Sequence, residues 1–83
     1  MHSPEEKIII ALVKHFKTLR LQQGLSHSKL ATLAGITRPA ISQIESGKRT
    51  PTIIVCLKIA HALGERLGEV IARCEREIYK STP

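Results

Sequence analysis

The sequence predicts an all-α fold: a compact bundle of five helices around one core. Three observations predict it. Apolar residues recur at three- and four-residue spacing through most of the chain. Gly24, Gly35, Gly47 and Gly64 interrupt those stretches, and Ser26, Thr37 and Thr52 stand where N-caps are needed for the helices that follow. Hydrophobic residues make up 42% of the chain and aromatic ones 2%, so the core must be aliphatic.

A length of 83 residues predicts one domain over 1–83, with its core at about 5–72. A domain of this size buries only about 60–65% of its unfolded surface. That leaves no room for a separate sensor or catalytic unit. Met1–Pro4 reads as a frayed leader, although Ser3 is placed to cap a first helix with Pro4 at its first position and Glu5 and Glu6 favourable to its dipole. Helix one then runs to about Gln23, with an apolar stripe of Ile9, Leu12, Val13, Phe16 and Leu19. Lys14, His15 and Lys17 fall largely off that stripe, where solvent exposure is the ordinary outcome.

Ser26 caps a second helix over His27–Ala34. Thr37 caps a third from Arg38 to about Ser46. Thr52 caps a fourth, Ile53–Leu63, which Gly64 closes; Ile54, Leu57, Ile59, Ala60 and Leu63 cover much of its circumference. A fifth helix spans about 65–79, with Leu67, Val70, Ile71, Cys74 and Ile78 on one side and charge on the other. Its stripe suits packing on helices one and four, and an exposed end of it would suit a dimer.

Residues 26–47 organise the rest. Small Ala31 lets the third helix approach the second. Gly35, four residues on, permits a sharp turn. Ile41, six residues further, plugs the angle between the two helices. That spacing is the pattern of a DNA-binding helix-turn-helix. Together with Gly24-Leu25-Ser26, Leu30, Ile36, Ser42, Ile44-Glu45, Gly47, Pro51, Ile59-Ala60 and Ala62-Leu63, it resembles the phage-repressor-like family, the Cro/C1 or Xre type, over roughly Leu19–Ile71.

The resemblance implies a lambda-repressor-like bundle and a set of roles. The third helix enters a major groove. Arg38, Pro39, Ser42 and Gln43 occupy its outer and N-terminal face. Arg38 suits guanine O6 and N7 but equally a phosphate; Gln43 suits adenine N6 and N7. Pro39 either stiffens the turn or touches a thymine methyl. His27 stands where the family commonly has a phosphate-binding glutamine. Ser28, Lys29, Thr37, Lys48 and Arg49 are the other candidate phosphate contacts. The resemblance also implies an ion pair between Arg20 and Glu45, tying the first helix to the reading helix.

Charge agrees with that reading. The net charge is +6, and between Lys7 and Lys58 nine lysines and arginines face one acid, Glu45. Residues 65–83 are balanced. A segregated charge on a motif that meets phosphates favours nucleic acid. Other classes find little support. Metal-dependent phosphodiester chemistry needs clustered carboxylates, and no Ser/His/Asp arrangement has context, so an enzyme is not expected. Cys56 and Cys74 fit no metal spacing and read as reduced core thiols. The four histidines are scattered, so neither a metal nor another cofactor is expected, and no small-molecule ligand is indicated. No apolar run approaches the ~20 residues of a membrane span, and no signal peptide is visible.

The resulting expectation is a cytoplasmic regulator that binds double-stranded DNA sequence-specifically, as a homodimeric repressor on a two-fold operator. The alternative is an antitoxin-type module that binds a toxin protein as well as its own promoter.

Overall fold

The computed structural model describes residues 2–81, and among them every regular element is a helix: α1 (Pro4–Gln22), α2 (His27–Ala34), α3 (Arg38–Glu45), α4 (Ile53–Ala62) and α5 (Leu67–Ser81). Their starts follow from side-chain chemistry. The Ser26, Thr37 and Thr52 hydroxyls accept hydrogen bonds from the amides of Lys29, Ala40 and Val55 at 3.0, 3.2 and 3.2 Å. Each such cap contributes about 0.5–2 kcal/mol. At α1 the Ser3 hydroxyl accepts from the Glu6 amide at 3.1 Å, while the Glu6 carboxylate accepts from the Ser3 amide at 3.3 Å. This reciprocal box orders the chain from Ser3 onward, which corrects the expectation of a frayed leader; Met1 lies outside the described residues, as do Thr82 and Pro83.

The turn between α2 and α3 rests on Gly35, at φ 70°. The Ile36 amide reaches back to the Ala31 carbonyl at 3.0 Å and closes the end of α2. A Cβ at Gly35 would meet nothing within 4 Å. The position demands the left-handed backbone rather than space, and an L side chain there costs about 1–2 kcal/mol.

Leu12, Leu30, Ile41 and Val70 are fully buried and come from four different helices, α1, α2, α3 and α5. The fourth helix adds Cys56, Ile59 and Ala60. The first helix packs on α3 and α5, α2 on α3 and α4, and α4 on α5. Truncating a side chain such as Leu12 to alanine removes about 2–5 kcal/mol. The core also takes in Cys74, so it extends beyond residue 72, and α5 runs over 67–81 rather than 65–79.

Two faces differ from the sequence reading. The buried line of α1 is Ile8, Leu12, Phe16 and Arg20, with Ile9, Val13 and Leu19 only half-buried beside it. On α4, Ile53, Ile54 and Leu57 are exposed, whereas Cys56 is inside. Leu33 of α2 is likewise exposed. Both cysteines are free and buried. Among the described residues no helix is long and apolar enough to cross a membrane.

Candidate nucleic-acid interface

The third helix has eight residues and two distinct sides. Ala40, Ile41 and Ile44 are buried. Arg38, Pro39, Ser42 and Gln43 lie at i, i+1, i+4 and i+5 on the opposite side, Ser42 half-buried and the other three exposed. Pro39 stands in the first turn, where a missing N–H costs no intrahelical bond. A helix with side chains is about 10–12 Å across and the major groove of B-DNA about 12 Å wide, so this side has the size to enter it.

The opposite end of α3 is held by charge. Arg20, 8% exposed, points its guanidinium at Glu45. Its Nε donates to Glu45 Oε2 at 2.7 Å and its Nη2 to Oε1 at 2.9 Å. Its Nη1 donates to the Leu25 carbonyl at 2.8 Å. One side chain of α1 therefore fixes the α1–α2 turn and the end of α3 together. Burial alone would raise the Glu45 carboxyl, but hydrogen bonds from Arg20 and His27 outweigh it and hold the group below the ordinary carboxylate range.

His27 is placed differently from the sequence expectation of a free phosphate contact. Its Nε2 lies 3.1 Å from Glu45 Oε1, with 29% of the side chain exposed. It borders an open cleft shared with Lys17, Arg20, Ser42, Glu45 and Ser46. That cleft brings Lys17 beside Ser42, at the edge of the outer side of α3. Sequence periodicity gave Lys17 no role, because a lysine off an apolar stripe looks the same whichever surface it joins.

The remaining candidate phosphate contacts surround α3. Ser28 and Lys29 are exposed in the first turn of α2, and Thr37 is exposed just before α3. The Thr37 oxygen already accepts from the Ala40 amide, and its O–H remains a donor. Lys48 and Arg49 are exposed in the loop after α3. Their amides both donate to the Gln43 carbonyl, at 2.9 and 3.2 Å, so the loop folds back against the helix that carries Gln43. Arg38 stands apart from this loop, at the start of α3.

A family model described as helix-turn-helix matches residues 16–70, from the C-terminal part of α1 to the start of α5. The chain belongs to the helix-turn-helix family. Within it the chain is of the phage-repressor-like type. An uncharacterised HTH-type transcriptional regulator of Haemophilus influenzae is 38% identical over 69 residues, covering 83% of this chain and 70% of that protein. The HTH-type transcriptional regulator PuuR of Escherichia coli is also 38% identical, over 63 residues, but this chain spans only 34% of its length. YgzD, an uncharacterised HTH-type transcriptional regulator of Bacillus subtilis, is 35% identical over 54 residues and 82% of its length. No solved structure matches significantly. The matched span holds the cap at Ser26, the turn at Gly35, the outer side of α3 and the Lys48–Arg49 loop.

Proposed function

We propose that this chain is a double-stranded DNA-binding transcriptional regulator that reads sequence with α3 and acts as a dimeric repressor in the cytoplasm, with no catalytic step of its own. One observation carries the reading. Between Lys7 and Lys58 the single acid, Glu45, is engaged by Arg20 and His27, and the polar side of α3 stands exposed next to it. The bases around α3 are therefore available to phosphate, and the carboxylate that α3 itself carries is already engaged. Arg38, Pro39, Ser42 and Gln43 are assigned to base edges. His27, Ser28, Lys29, Thr37, Lys48 and Arg49 are assigned to the backbone.

A dimer places two half-sites about 10 base pairs apart, or ~34 Å centre to centre. The apolar stripe of α5 is an unpromising surface for it, since Leu67, Val70 and Cys74 are buried in the core. Ile53, Ile54 and Leu57 of α4 are exposed and form the better candidate. The same exposed residues favour the second reading, an antitoxin-type module whose toxin covers them. Sedimentation of the purified chain separates the two: a dimer supports the first, a monomer the second. Selection of bound sites from random duplexes tests DNA reading itself. Enrichment of a two-fold repeated site is the expected result, and failure to enrich any sequence overturns the proposal.

A further inference from the structure

The His27–Glu45 contact has a consequence for how phosphate is bound. Glu45 is a carboxylate that only accepts hydrogen bonds, and its Oε1 lies 3.1 Å from His27 Nε2. The ring proton of a neutral His27 therefore sits on Nε2. The other ring nitrogen, Nδ1, is then a lone-pair acceptor, which a phosphate oxygen repels. Only an imidazolium offers N–H groups to Glu45 and to a phosphate at once.

From this geometry we infer that His27 binds the DNA backbone as an imidazolium positioned by Glu45, so that each protomer takes up a proton when it binds DNA. This rests on the DNA-binding reading and assigns a proton linkage to the same site. The charged groups around the ring act in both directions. From α1, Lys17 and Arg20 line the same cleft and oppose a second positive charge. From α3, Glu45 favours it, and Lys29 stands exposed on His27's own helix. A phosphate arriving at the cleft adds negative charge and tips that balance toward protonation.

A carboxamide makes the decisive comparison. The nitrogen of a glutamine carries two N–H groups, one for Glu45 and one for phosphate, at any pH. His27→Gln should therefore lose the pH dependence of DNA binding, whatever affinity it retains. Because the contact is to the backbone, a mixed-sequence duplex of about 20 base pairs at roughly 50 mM salt serves as the probe. Wild-type affinity should rise as pH falls from about 8 to 6, by up to about tenfold per pH unit per proton taken up, beyond any change seen in His27→Gln. Helicity at each pH checks that both proteins stay folded. A second measurement needs no variant: with the duplex bound, the His27 ring resonances should lie at the imidazolium position. Matching pH profiles, or a ring that stays neutral on the DNA, overturns the proton linkage and leaves the DNA reading standing. Failure of both proteins to bind any duplex overturns the DNA reading, and this inference with it.

Discussion

The outer sides of α3 and α4 are opposites. The third helix buries its apolar residues and exposes Arg38, Pro39 and Gln43. The fourth is apolar almost throughout, IIVCLKIAHA, and still exposes Ile53, Ile54 and Leu57 at 62%, 62% and 39%. Both belong to one small bundle, so the difference does not come from what the core requires. A polar side held by a buried ion pair suits a polyanion, whose charge must be met by donors. An apolar side beside it suits another protein surface, where burial supplies the free energy. Under the proposed function, the two helices would divide recognition between nucleic acid and protein.

The sharpest way to break that division is at the anchor of α3. Glu45→Ala leaves the Arg20 guanidinium buried with only the Leu25 carbonyl. Because both side chains are 9% exposed, the loss should be about 3–5 kcal/mol, the range for one partner removed from a buried pair, rather than the 0–1 kcal/mol of a surface pair. Thermal or urea melting checks it; a curve within error of wild type would show that α3 is held by its apolar side alone. The same pair gives a pH signature. The Glu45 carboxyl is held below its ordinary range in the fold. Its stabilisation is therefore complete above the unfolded value, about 4.3, and is lost as pH falls through the folded value beneath it. Melts of wild type should weaken below about pH 4.3, and Glu45→Gln should show less of that weakening.

The next effects are on DNA. Gln43→Ala should lose about 1–3 kcal/mol of discrimination at one base pair and leave the salt slope nearly unchanged. Lys48→Ala should weaken operator and scrambled duplex alike and lower the salt slope by about 1. Titrating both variants against both duplexes at several salt concentrations checks this; indistinguishable behaviour would mean that α3 does not carry the reading. The smallest effect on stability should come from Ile54→Ser. Its side chain is mostly in water already, so the fold should change by no more than about 0.5 kcal/mol. Its effect should appear in self-association, measured by sedimentation. An unchanged dimer would move the protein-binding surface elsewhere and dissolve the contrast between the two helices.

The sequence discloses these parts unequally. Helix starts were legible because a serine or threonine at the cap acts locally, within three residues of itself. The turn at Gly35 was legible for the same reason. The facing of α1 was not. Ile8, Ile9 and Ile10 allow several phases, and the buried line ends on Arg20, a residue that apolar periodicity passes over. Nor was the facing of α4, where the only polar marks of the outer side are Lys58 and His61 among eight apolar residues. At the site, the outer side of α3 follows from which of its residues are apolar. The contact between His27 and Glu45 joins residues 18 apart in sequence and depends on how α2 meets α3, which no local pattern encodes.

The two cysteines supply a clock. Cys56 on α4 and Cys74 on α5 are 3% and 6% exposed, and burial pushes both thiols up from their ordinary range. Alkylation requires a thiolate that the reagent can reach, so in the closed fold both react slowly. Each modification event therefore timestamps an excursion in which the surroundings of that thiol part. Followed residue by residue, the two rates would tell whether α4 and α5 loosen as one unit or in succession. Neither thiol is among the residues assigned to DNA, so the same clock keeps running on the bound protein and would reveal whether gripping a duplex quietens the core of the bundle.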